Sequence, residues 1–254
     1  MICARPAAIL VIALLTLSTA AWTRPGGGIV NTAHDFTSNA SLTLTLGPGS
    51  AGLCNFCHTP HSAKTTQLGW NHTLSKTVFD YDVPATTAGT ALPSFAGDSY
   101  KGPSAKCLSC HDGTVAIGDV GGQGAAVLSA DKIGTGGFAV ADQVGAGGKL
   151  AGSHPVAIPY PYGKVANTYN GITTGPQLAV GEWVADPTVN NIRLYSDDGA
   201  GNIVGKPKPG VAGIECSSCH DPHNKTSKDD FFLRGMRSGG TQASGYLCLQ
   251  CHDV

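Results

Sequence analysis

Eight of the nine cysteines in this chain stand in four copies of one pattern, Cys-x-x-Cys-His. They are Cys54-Asn55-Phe56-Cys57-His58, Cys107-Leu108-Ser109-Cys110-His111, Cys216-Ser217-Ser218-Cys219-His220 and Cys248-Leu249-Gln250-Cys251-His252. Two thiols three positions apart lie one short turn from each other. They can add across the two vinyl groups on one porphyrin edge, and the next residue, an imidazole, then swings under the ring as the proximal iron ligand. Four such motifs predict four covalently attached haem c groups. The thioethers come from Cys54, Cys57, Cys107, Cys110, Cys216, Cys219, Cys248 and Cys251, and the proximal irons belong to His58, His111, His220 and His252.

Three other chemistries use paired cysteines. Structural zinc does not require histidine at the next position every time. A thioredoxin-like redox centre uses one pair on a βαβ unit rather than four. A disulfide framework fits export, but four identical tight pairs make an unusual set of bridges.

Composition agrees with an interior filled by something other than side chains. The 254 residues include 35 glycines, with 7% aromatic and 13% charged residues, whereas ordinary soluble domains carry about a quarter charged residues. The formal net charge of −1 offers no basic surface for nucleic acid or an anionic membrane. Residues 1–21 are expected to be a cleaved secretory signal: Arg5 supplies the positive end, Ala7 to Leu17 the short apolar core, and Ser18-Thr19-Ala20-Ala21 the small residues. The apolar run is too short to span a bilayer, so no membrane anchor is expected. Cys3 precedes that core and leaves with it. The mature chain is therefore expected to be secreted through the periplasm to the outer surface or beyond.

The function of a haem turns on its sixth ligand. With four histidines proximal, five remain as candidate distal ligands: His34, His61, His72, His154 and His223. Met236 is the only methionine left after Met1 goes, so bis-histidine ligation throughout is the economical solution. Such irons are closed to substrate and suit electron transfer, so no catalytic residues are expected and the chain reads as a carrier rather than an enzyme. His61 and His223 each follow a proximal histidine by three residues, in CHTPH and CHDPH. Residues three apart sit roughly 5–6 Å from each other, whereas gripping both faces of one haem needs a backbone separation of about 12 Å. His61 and His223 should therefore serve neighbouring haems and tie haems into contact.

Residues 22–254 read as one tetrahaem domain with a weak internal two-fold repeat: an upstream histidine (His34, then His154), a CxxCHxPH motif, then a C-L-x-C-H-D motif. Residues 113–152 read as Gly-rich loops with brief strands at Val115-Ala116-Ile117 and Phe138-Ala139-Val140. Residues 192–204 read as a β-hairpin around Asp198-Gly199, and the Pro-rich stretch from His154 as extended chain packed on haem faces. No long helical period is present. The expected fold is a multihaem c-type cytochrome: mostly irregular coil, short helices and a few short hairpins wrapped around a chain of four haems that serves as the core.

At HDF, CNFCHTPH, LGWNHTL, AKCLSCHDGTVAIGD, SHPVAIPYPYG and IECSSCHDPHN the chain resembles the filament-forming tetrahaem extracellular cytochromes of metal-reducing bacteria. The resemblance implies bis-histidine haems, head-to-tail polymerisation with copies of itself, a continuous haem stack, and one histidine given to a haem of the adjacent subunit. It implies redox partner proteins on one side and external acceptors such as metal oxides or electrodes on the other. Among the five spare histidines, His34 is the candidate for that exchange, since it sits early in the mature chain before a polar Gly/Ser/Thr-rich segment; alternatively it caps a haem of its own chain, or none, and His72 crosses instead. The competing functions are a monomeric periplasmic electron shuttle and a multihaem reductase, which needs an open iron.

Overall fold

The computed structural model describes residues 27–36, 53–54, 56–59, 63, 69–121, 131–136, 138–227, 231–235 and 247–253. The expected signal, His61 and Met236 lie outside them. Most of the described chain is coil and turn, with two α-helices, short strands, and 3-10 turns.

The helices are where they matter. α1, Ser104–His111, carries the second motif and starts after Pro103, a residue whose fixed φ suits a helix start. α2, Cys216–Cys219, carries the third, and Glu215 before it forms a capping box with Ser218. The first motif is a single turn, with His58 N–H donating to the Cys54 carbonyl (2.8 Å). The fourth is a 3-10 turn over Cys248–Gln250, closed by His252 N–H on the Cys248 carbonyl (2.9 Å).

Among the described residues the strands form three antiparallel sheets. β1 (Val78–Phe79) pairs with β2 (Phe95–Ala96). β3 (Ile158–Pro159), β6 (Tyr195–Asp197), β7 (Ile203–Val204) and β8 (Ala212–Ile214) make a four-stranded sheet in the order β3-β8-β6-β7. Pro159 lies on its edge strand, where a missing N–H does least harm. β4 (Thr168–Tyr169) and β5 (Ile172–Thr173) form a hairpin around Asn170-Gly171, both with positive φ (50° and 71°), the turn that matches strand twist. β6 and β7 form the hairpin expected over 192–204, with Ser196 opposite Val204. The Asp198 carboxylate accepts from the N–H of Ala200 and Asn202 in its loop (2.8 and 3.0 Å). β8 runs directly into Glu215 and α2, so the sheet aims the third motif.

Two expectations change. Val115-Ala116-Ile117 and Phe138-Ala139-Val140 are not strands; Val140 opens a 3-10 turn, Val140–Asp142. Ile117 donates to the Asp131 carbonyl (2.9 Å) and is buried by its side chain rather than by a sheet. The core is also not left wholly to cofactor. Side chains form three buried clusters: Phe79, Phe95, Tyr100, Ala105, Leu108, Leu150 and Ala157; then Phe56, Ile117, Val120 and Ile133; then Tyr160, Ile192, Leu194 and Ile214. Each borders a motif. Leu108 of the second motif is in the first cluster, Cys57 and Cys110 pack on the second, and Cys251 packs on the third. Among the described residues no helix is long and apolar enough to cross a membrane.

Candidate haem-attachment sites

No disulfide joins the eight motif cysteines. Burial pushes Cys57 and Cys219 up to about 11, and Cys110 and Cys251 up to about 12. A dithiol redox centre lowers one thiol of its own pair. Here the lowered thiol is Cys216, because Cys107, from a different motif, donates to it; Cys107 is correspondingly raised. Among the described residues no three His, Cys, Asp or Glu side chains converge to hold a metal ion, as structural zinc requires.

The imidazoles are set up for a different metal chemistry. His111 Nδ1 faces the Asp142 carbonyl at 2.7 Å, His220 Nδ1 the Phe231 carbonyl at 2.9 Å, and His154 Nδ1 the Pro155 carbonyl at 3.0 Å. A carbonyl only accepts, so Nδ1 holds the proton and Nε2 keeps its lone pair. That is the tautomer a metal-ligating histidine adopts through its second hydrogen bond.

Two ring pairs meet the distance a shared iron demands. With metal–nitrogen bonds of about 2 Å on each side, two imidazoles on one iron have ring centres about 6 Å apart. His34 and His111 are 6.2 Å apart at an interplanar angle of 72°. His58 and His223 are 6.1 Å apart at 20°. Burial, and next the proximity of His111, lower His34 to about 4; burial likewise lowers His223. Both therefore stay neutral near pH 7, the form that binds metal. The cysteines, the proximal histidines and these two partners fit haem c.

The other sequence-derived ligands divide. His72 is buried, bridged to Val120, with its ring 5.8 Å from Trp70; Trp70 in turn meets His58 edge-on at 5.9 Å. His154 is exposed and close enough to His252 to lower it, after burial. His61 lies outside the described residues. The ring of His34 lies 6.2 Å from that of His111 of its own chain.

Several residues organise the site that motif reading did not single out. Asp112, after the second motif, accepts from Ser75, Thr77 and Thr114. Asp221, after the third, accepts from the N–H of His223, Lys225 and Thr226 and faces Arg234 at 3.4 Å. Against the upward push of burial, these bonds and the Arg234 charge hold Asp221 low. The H-D pair was visible in the sequence, although its role was not.

Glu215 is fully buried. One of its oxygens accepts from the hydroxyls of Tyr100 and Tyr169 (2.6 Å for Tyr169), the other from Ser104 N–H (3.1 Å) and Ser104 Oγ. Ser104 Oγ also accepts from Cys216 N–H (3.0 Å). One carboxylate thus joins the starts of α1 and α2 and holds Cys107 beside Cys216. Gly213 lets Tyr169 reach it, since a Cβ there would overlap the tyrosine ring.

In comparison with known proteins, residues 208–254 match the family described as doubled CXXCH motif, a segment containing the third and fourth motifs. No curated protein matches the chain. The matched motifs are those of multihaem c-type cytochromes, which bind haem covalently and carry electrons.

Proposed function

We propose that the chain carries four haem c groups with every iron closed by two histidines, and that it is an extracellular electron conduit. Copies assemble head to tail into a filament that delivers electrons to external acceptors such as metal oxides or electrodes. The observation that carries this reading is the approach of His34 to His111 and of His58 to His223 at 6.2 and 6.1 Å; an iron held by either pair would have no open position for a substrate. Haem supplies the reversible one-electron change. The protein contributes neutral imidazoles, thioether attachment and close spacing: Cys107 touches Cys216, Cys57 and Cys110 share one apolar cluster, and Cys219 lies close to Cys251. Neighbouring attachment points are thus linked from the first motif to the fourth. The secretory signal expected at residues 1–21 supports export. The third and fourth motifs' family match, residues 208–254, supports haem attachment.

Mass spectrometry of the unfolded protein tests the haem count: four haem additions are expected, and three or fewer contradict it. Electron microscopy of the extracellular fraction separates conduit from shuttle. Filaments labelled by antibody to this chain support the first; monomers confined to the periplasm support the second.

A further inference from the structure

We infer that His223 closes the iron of the first motif with nearly parallel rings and His34 closes that of the second with crossed rings, so the two haems differ in electronic structure. This rests on the haem reading above and goes beyond it: bis-histidine ligation alone says nothing about which segment supplies each ligand, nor about ring orientation.

The crossed pair is held from both sides. His111 is fixed by its bond to the Asp142 carbonyl (2.7 Å). His34 is stacked on Phe232 (ring centres 5.0 Å apart, 11°) with Nδ1 facing the Pro222 carbonyl at 3.4 Å. Phe232 itself takes φ 59°, a left-handed conformation that is strained for a bulky residue. A strained aromatic directly beneath His34 is what a fixed ring orientation requires. The 72° angle is therefore set by two independent anchors.

The parallel pair is held differently. Asp221 ties down the N–H groups of His223, Lys225 and Thr226, and Arg234 ties the same turn to α2, donating to the hydroxyl of Thr226 (2.8 Å) and the carbonyl of Ser217 (3.1 Å). His58 is bridged to Trp70, which meets its ring at 79°. The loop after the third motif thus serves two irons, giving His223 to one and, through the Pro222 carbonyl, orienting His34 on the other.

Ring orientation matters because each imidazole raises the iron d orbital that overlaps its π system. Parallel rings raise the same orbital and split the pair; crossed rings raise both and leave them nearly degenerate. A ferric low-spin iron with parallel rings gives a resolved rhombic resonance, while one with crossed rings gives a single strongly anisotropic low-field line. Axial ligation is one of the levers by which a protein tunes haem.

Low-temperature electron paramagnetic resonance of the oxidised, haem-loaded full chain tests the assignment. Wild type should show both signal types. His34→Ala should remove one iron's worth of the low-field line and His223→Ala one iron's worth of rhombic signal, each adding one high-spin iron. Phe232→Leu, which keeps every ligand, should shift the low-field line and leave the rhombic signal alone, and it decides the matter if an alanine variant fails to fold. Loss of the same signal type in both alanine variants, or an unmoved low-field line in Phe232→Leu, overturns the inference. A high-spin iron already present in stoichiometric amount in wild type overturns the closed-iron reading itself, a distinguishable failure.

Discussion

The junction between the second and third motifs and the site of the fourth motif are built in opposite ways. At the junction two helices start from one buried carboxylate, Glu215, and two thiols touch. At the fourth site a 3-10 turn lies at the surface, with Cys248 exposed and Leu249 51% exposed. It is held by Val184 N–H on the Cys251 carbonyl (2.9 Å), by Tyr160 Oη donating to the Val184 and Cys251 carbonyls (2.6 and 3.2 Å), and by Trp183 over His252 (4.3 Å). A buried polar network with every partner satisfied fixes geometry; a rim of single contacts leaves an attachment site accessible. The difference teaches that, on the function proposed above, the interior of the haem series would be positioned by protein and its end left open to exchange electrons.

The largest effect separating these regions should come from the thiols. Cys107→Ala with Cys110→Ala removes the proposed haem attachment beside α2 and two apolar clusters, and should leave the chain unfolded and quickly degraded. Cys248→Ala with Cys251→Ala should leave residues 78–227 folded and three haems bound. Limited proteolysis with mass spectrometry compares the two; equal damage would erase the distinction.

Next is Glu215→Ala, which strands the hydroxyls of Tyr100 and Tyr169 and both donors of Ser104 in a buried place. A loss of roughly 3–5 kcal/mol is expected, measured by denaturant unfolding, with Glu215→Gln losing much less. Gly213→Ala acts on the same network by displacing the Tyr169 ring, at about 1–3 kcal/mol. Tyr160→Phe removes two hydrogen bonds at the fourth site and should cost about 1 kcal/mol, with a spectral change confined to one haem.

The chemistry was legible in the sequence wherever it depends on covalent spacing. The thiol positions, the turn of each motif and the hairpin around Asp198-Gly199 follow from local rules. The Asn170-Gly171 hairpin follows from the same turn chemistry. What could not be read is long-range. Nothing local to His34 says that Phe232 will stack on it and His111 face it, and nothing around Glu215 names Tyr100 and Tyr169 as its donors. The strands expected at Val115-Ala116-Ile117 and Phe138-Ala139-Val140 failed for a related reason: a short apolar run becomes a strand only if a partner edge is brought to it, and here the glycine-rich surroundings turn the chain away.

Carbon monoxide binding to the chemically reduced, native protein tests the central claim most directly, because the ligand needs an iron with an open or easily vacated position. Four closed irons predict a Soret band essentially unmoved by the gas at neutral pH, with carbon monoxide binding appearing only after the protein is unfolded. Rapid, stoichiometric binding to even one haem of the folded protein would contradict it and point to an iron built for catalysis.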